Sequence, residues 1–180
     1  MASWIDSPSK RLYTIGHGTA PIEEFVAQLQ AAGVSSLVDV RRFPGSRRNP
    51  QYNSDALAQS LLDAGIMYRN DPHLGGRRRP SPKSPNVALR NEQFRAYADY
   101  MATAEFHAAL TQLLEEAAEV PTAIMCSETV WWRCHRRLIA DFAELVREWP
   151  VMHLISGAQR PHVVTEGVRR DGADVLYDGG

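Results

Sequence analysis

The chain has 180 residues and a formal net charge of −1, with 44% hydrophobic and 23% charged residues. These values exclude a disordered chain and predict one domain around a single core. They also exclude a global basic field that would draw the chain onto nucleic acid or membrane, and no run approaches the roughly 18 apolar residues that span a bilayer.

Met1 to Lys10 has no apolar stretch long enough for a signal peptide and is expected to be a flexible N-terminus. Residues 11–178 are expected to form one soluble, cytoplasmic α/β domain. The cations are biased: Lys10 and Lys83 are the lysines, so 18 of the 20 are arginine. A codon bias explains such a number but not its clustering at Arg41, Arg42, Arg47, Arg48 and Arg77–Arg79. The planar guanidinium fork suits phosphate and carboxylate, which favours anion recognition. Cys126 and Cys134 are expected to be reduced thiols rather than a disulfide.

Leu12 to Gly16 reads as a first strand ending in a Gly-His-Gly turn. Thr19 and Pro21 mark a helix start with Glu23 and Glu24 against its dipole, and Gly33 closes it. Val34 to Val40 is a strand covered on both faces. After the Arg- and Pro-rich loop to Asn53, Ser54 caps a helix through Ala64, stopped by Gly65. Ile66 to Tyr68 is a short third strand. Leu74 to Arg90 has the length of a segment that is either functional or disordered. Asn91 to about Glu119 is helical, with a break and a new cap near Thr103.

Thr122 to Cys126 is a core strand. Trp131, His135, Leu138, Phe142, Leu145 and Trp149 alternate at intervals of four and three, which predicts one long helix over Trp131–Trp149. Val151 to Ile155 is a further strand, and Val163–Arg170 with Val175–Tyr177 can pair as a hairpin. Strands alternating with helices predict a mainly parallel sheet with helices on both faces and a ligand site beyond the strand carboxyl ends. Three stretches meet at that edge: His17, Arg41–Arg42 and Cys126–Glu128.

Several motifs on these stretches occur together. They are Thr14-Ile15-Gly16-His17, Leu37-Val38-Asp39-Val40-Arg41 with Pro44 and Ser46-Arg47, Leu74-Gly75-Gly76, Phe94 with Tyr97-Ala98 and Tyr100-Met101, and Met125-Cys126-x-Glu128 with Cys134-His135-Arg136 and Ile139-Ala140-Asp141. In them the chain, from about Leu12 to Tyr177, resembles the bacterial family catalogued as domain of unknown function 488. The resemblance implies a compact α/β domain and no established activity. A departure is Thr129-Val130-Trp131-Trp132, where relatives more often carry a proline before a single tryptophan, and it bears on the entry to the last long helix. Leu-Val-Asp-Val-Arg at a strand end, with a later strand ending in Cys, is also similar to rhodanese domains. There an arginine follows the cysteine by six residues; here that position is Trp132, so the anion-cradling loop is not reproduced.

At a strand-to-helix junction Cys126 is the candidate nucleophile, since helix N-termini lower thiol pKa values and bind anions. The alternative is a structural cysteine, which is the expectation for Cys134. Glu128 is a candidate acid/base or a helix cap, and His135 a candidate base or a hydrogen-bonded core residue. The candidate anion ligands are His17, Arg41, Arg42, Arg47 and Arg136. Cysteines with seven residues between them, with His135 and His17, fit no zinc module, so no metal or cofactor is assigned. The expected partner is a phosphorylated small molecule or a nucleic-acid end, processed or bound. The alternative is a non-catalytic nucleic-acid module using Arg41–Arg48 and Arg77–Arg79 as backbone clamps, with Phe43 and Tyr52 for stacking. The oligomeric state is left open.

Overall fold

A computed structural model describes residues 10–180, so the N-terminal expectation lies almost wholly outside the described residues. Strand β1 (Leu12–Gly16) is followed by helix α1 (Ile22–Ala31), β2 (Ser36–Asp39), α2 (Ser54–Asp63) and β3 (Met67–Asn70). Next come α3 (Glu92–Met101), α4 (Ala104–Glu119), β4 (Thr122–Cys126), α5 (Arg136–Arg147) and β5 (Val151–Ile155). The chain closes with β6 (Ala158–Pro161), β7 (Val168–Asp171) and β8 (Asp174–Tyr177). The main sheet runs β3-β2-β4-β1-β5-β6, parallel except for β6, and β7 with β8 forms the separate hairpin. The chain is a single α/β domain, and among the described residues no helix is long and apolar enough to cross a membrane.

Alternation along the central strands builds two cores. Tyr13, Ile15, Leu37, Ala123 and Met125 meet Phe25 and Leu29 of α1 and Leu57 and Leu61 of α2. Leu12, Val38, Ile124 and Cys126 meet Tyr97 of α3, Leu110 and Leu113 of α4, Leu138 and Phe142 of α5 and Tyr177 of β8. Helices therefore cover both faces, with α1 and α2 on one and α3, α4 and α5 on the other. The strands are buried on both sides, which explains why they read as apolar runs.

Neighbouring strands β1 and β4 send their connections to opposite faces, β1 into α1 and β4 into α5. Such a switch point opens a crevice beyond the strand ends.

The helix caps follow local chemistry. Asn91 accepts from the backbone N–H groups of Gln93 and Phe94, and Thr103 accepts from Phe106 N, which separates α3 from α4 at the expected break. At α2 the cap position is Asn53 rather than Ser54, and the Asn53 side chain is turned to the backbone N–H of Ser46.

The expected single helix over Trp131–Trp149 is divided. Trp131–Arg133 is a 3₁₀ turn, Cys134 is extended, and α5 begins at Arg136 with His135 as its cap residue. At the other end Glu148 adopts a left-handed conformation (φ 53°), leaving Trp149 outside the helix. Trp131 keeps the spacing of the stripe but stacks on His153, while the α5 residues pack into the core.

The segment from Leu74 to Arg90 is packed irregular chain. Tyr97 donates to Leu74 O and Tyr100 to His73 O, Arg78 lies 3.5 Å over the Tyr100 ring, and Ser84 and Asn86 both donate to Asp99. The hairpin is shorter than expected, and β6 was not anticipated: its exposed Ala-Gln-Arg-Pro has no apolar alternation to signal a strand.

Candidate functional site

An open cavity of about 610 Å³ lies at the β1/β4 switch point, within the usual size range of small-molecule sites. Its walls carry His17, Arg41, Arg42, Arg48, Arg77 and Arg133, with Cys126, Cys134 and His135 deeper in. Among the described residues lining it, Glu128 is the one acid.

On the α1/α2 side, Arg41 is held by Asp39: Nε donates to Oδ1 at 2.9 Å and Nη2 to Oδ2 at 2.7 Å. Nη2 also donates to Tyr52 O, and Tyr68 donates its hydroxyl to Asp39 Oδ2. Arg41 is thus a fixed wall whose remaining Nη1 faces His17 Nε2 at 3.5 Å. His17 stacks on Tyr52 at 4.1 Å, and its Nδ1 donates to Gly18 O at 2.8 Å. Burial keeps the imidazole neutral by lowering its pKa. His17 therefore presents an acceptor nitrogen rather than a cation to the cavity.

Arg42, Arg48, Arg77 and Arg133 have no carboxylate partner among the described residues. Arg42 Nη1 donates to Arg77 O, and Arg77 is held at φ 59°, an unusual backbone for a long side chain. Phe43, 63% exposed, has both guanidinium groups within 6 Å of its ring, at 5.7 and 5.9 Å. Arg47 stands apart, beside a separate shallow depression with Gly45, Ser46, Pro50 and Asn53. The expected Arg47 position in the site is filled by Arg48.

Across the cavity, Arg136 is not a surface anion ligand. It is 1% exposed and lies behind the cavity floor. Nε donates to Cys126 Sγ at 3.0 Å, Nη1 to Thr14 Oγ1 at 3.0 Å and Nη2 to Glu128 O at 2.6 Å. No carboxylate touches this buried cation among the described residues. Burial works against its charge, but the two sulfurs outweigh it and its pKa is raised.

The Sγ atoms of Cys126 and Cys134 are direct neighbours, and both cysteines are free. Such a pair beside Arg136 carries one negative charge readily and a second with difficulty. Burial and the neighbouring sulfur push the Cys126 thiol up. At Cys134 burial opposes ionisation, but the hydrogen bond from Cys126 and the charge of Arg136 bring it down to about 7. The backbone N–H of Arg136, at the start of α5, donates to Cys134 Sγ at 3.5 Å, a helix-terminus contact that favours thiolate. His135 Nε2 donates to Val40 O at 3.0 Å, which leaves the Nδ1 lone pair facing Cys134 Sγ at 3.5 Å. Burial keeps His135 neutral as well. Of the two sulfurs, it is Cys134 that His135 Nδ1 faces, whereas Cys126 is the candidate nucleophile by sequence and Cys134 the expected structural cysteine.

Glu128 contributes through its backbone. Its carbonyl binds Arg136, while its side chain is exposed at the rim and caps no helix. This path explains Gly16: a Cβ there would stand 1.8 Å from Glu128 O and 2.7 Å from Arg136 Nη2. Likewise a Cβ on Gly75 would meet the Arg42 backbone at 2.8 Å, and one on Gly76 the His135 Nδ1 at 3.2 Å.

Behind Arg136 runs a buried chain that sequence reasoning missed. Thr14 Oγ1, having accepted from Arg136, donates to His153 Nδ1 at 2.6 Å. His153 Nε2 donates to His162 Nδ1 at 3.0 Å, and His162 Nε2 to Asp141 Oδ1 at 2.8 Å. Tyr177 donates its hydroxyl to Asp141 Oδ2. Every link runs the same way, from guanidinium to carboxylate. Burial, with the nearby charge of Arg136, depresses the His153 pKa to about 2, so it stays neutral under the Trp131 ring stacked 4.3 Å away. Thr14 and Asp141 stood in the motifs of the family resemblance; His153 and His162 carried no such signal.

No curated protein and no solved structure matches the chain significantly. Residues 21–143, which carry α1 through most of α5 with Arg41, both cysteines, His135 and Arg136, match the family described as domain of unknown function DUF488, and the chain belongs to that family.

Proposed function

We propose that the cavity binds a phosphorylated ligand, a nucleotide or a nucleic-acid end, and that Cys134 with His135 is the reactive pair facing it. The observation that carries this reading is the convergence of Arg42, Arg48, Arg77 and Arg133 on one switch-point cavity without carboxylate partners. Surface arginines that serve solubility pair with acids or spread over the molecule; unpaired guanidinium groups around a hollow favour an oxyanion. Phe43 beside them suits an aromatic base. Arg41 and Arg136 act as positioning residues, Arg41 through Asp39 and Arg136 through the thiols. Free thiols in contact fit a reducing compartment such as the cytoplasm.

Calorimetric titration of nucleoside phosphates against the matching nucleoside tests the reading. Binding is expected only for the phosphorylated member, weakened about tenfold or more by Arg48→Ala or Arg77→Ala. Equal behaviour of nucleotide and nucleoside refutes it. The exposed Phe43 between two guanidinium groups also supports the second reading, a non-catalytic clamp on single-stranded nucleic acid. In that case affinity for random strands falls steeply with salt, and Cys134→Ser leaves it unchanged.

A further inference from the structure

Two free thiols in contact inside a folded chain are a reactive arrangement. Cys126 ends β4 and Cys134 precedes α5, and both reach the cavity wall although they are only 3% and 6% exposed. The opening admits a small neutral oxidant to the sulfurs. Cys134 has the base, His135 Nδ1, and the helix-terminal N–H; Cys126 has the Arg136 Nε at 3.0 Å. The two sulfurs therefore have different roles already built.

The geometry points to a hydroperoxide-reactive dithiol, with Cys134 as the attacking sulfur and Cys126 as the resolving sulfur. The Cys134 thiolate attacks the peroxide oxygen: an S–O bond forms, the O–O bond breaks, and the leaving alkoxide or hydroxide takes the Cys126 thiol proton. The new Cys126 thiolate, beside Arg136, attacks the Cys134 sulfenic sulfur; the S–S bond forms and hydroxide leaves. One thiolate, one thiol and the hydroperoxide thus give a disulfide, an alcohol or water, and hydroxide. The sulfurs are already direct neighbours, so forming the S–S bond at about 2.05 Å needs little backbone movement. An external dithiol returns the pair to its resting state. None of this rests on the phosphorylated ligand.

Purified full-length protein, free of phosphate, is treated with one equivalent of hydrogen peroxide and followed by thiol titration, intact mass and non-reducing peptide mapping. Loss of both thiols, a mass lower by two hydrogen atoms, and a Cys126–Cys134 link within one chain that dithiothreitol reverses are the expected results. A sulfinic acid without a link, a link between chains, or thiols that survive until the chain is unfolded overturns the proposal. Cys126→Ser is expected to leave a dimedone-trapped sulfenic acid on Cys134, and Cys134→Ser to leave Cys126 unmodified. The reverse pattern overturns the assignment of the two sulfurs.

Discussion

Arg136 Nε donates to Cys126 Sγ across 3.0 Å, and the guanidinium it belongs to meets no carboxylate among the described residues. The hydrogen-bond chain from it through Thr14, His153 and His162 ends on the carboxylate of Asp141. The thiol pair is thus the counter-charge in direct contact. Arg136 and Arg137 open α5, whose first turn carries no acid. That is the wrong sign for the helix dipole. The local penalty is explained by what Arg136 holds.

Replacing Arg136 by Met removes the charge that favours thiolate. The pH midpoint of alkylation, expected near 7 in the native chain, rises toward the ordinary thiol value of about 8.5. Stability falls by about 3–5 kcal/mol, because Thr14 and the Glu128 carbonyl lose a buried donor. Alkylation rate against pH, with Arg136→Lys as the milder variant, checks the first outcome; a midpoint unmoved in both sinks it.

Acid is expected to destabilise the fold from about pH 6.5 downward. His17, His135 and His153 have depressed pKa values when folded, so below 6.5 the unfolded chain takes up protons that the native chain refuses. For His153 the loss continues toward pH 2, at about 1.4 kcal/mol per pH unit. Urea midpoints measured between pH 7.5 and 5 should fall steadily; a flat profile contradicts the buried neutral state.

Asp141→Asn retains the shape but replaces one acceptor oxygen by a donor. His162, Tyr177 and the Thr165 backbone N–H all donate to this carboxylate, so at least one is left unpaired. The cost is about 1–3 kcal/mol, read by denaturant unfolding. A variant as stable as the native chain would mean that the chain of hydrogen bonds is dispensable.

Glycine substitutions should separate two kinds of site. Gly16→Ala and Gly75→Ala push a methyl into backbone atoms and are expected to prevent soluble folding. Gly33→Ala meets nothing within 4 Å and bears only its positive φ, so it costs about 1 kcal/mol. Soluble yield and thermal midpoint of the three variants make the comparison.

The fold was legible wherever burial imposed a period. β1, β4 and β5 fall where their apolar runs stand, and Thr103 divides α3 from α4. The break before α5 was not legible, since Trp131 keeps the helical spacing although it lies in a 3₁₀ turn against His153. β6 was hidden by its exposure, and its pairing with β5 rests on backbone bonds alone. At the strand ends, His17, Arg41, Arg42 and Cys126 line one cavity, as their positions in sequence suggest. Their division of labour was invisible, because it depends on which arginine already has a partner: Asp39 takes Arg41, the thiols take Arg136, and Arg42, Arg48 and Arg77 are left over. The His153–His162–Asp141 chain joins residues from β5, the loop after β6 and α5, and has no linear pattern.

The β1/β4 crevice is a seam between two separately mounted halves. His17, Arg41 and Tyr52 are fastened to the layer of α1 and α2, whereas Cys134, His135 and Arg133 ride on the lead-in to α5. The hydrogen bond from His135 Nε2 to Val40 O joins the two banks at the floor of the crevice and leaves the gap open towards the rim. A molecule spanning that gap therefore clasps the two layers across the sheet rim.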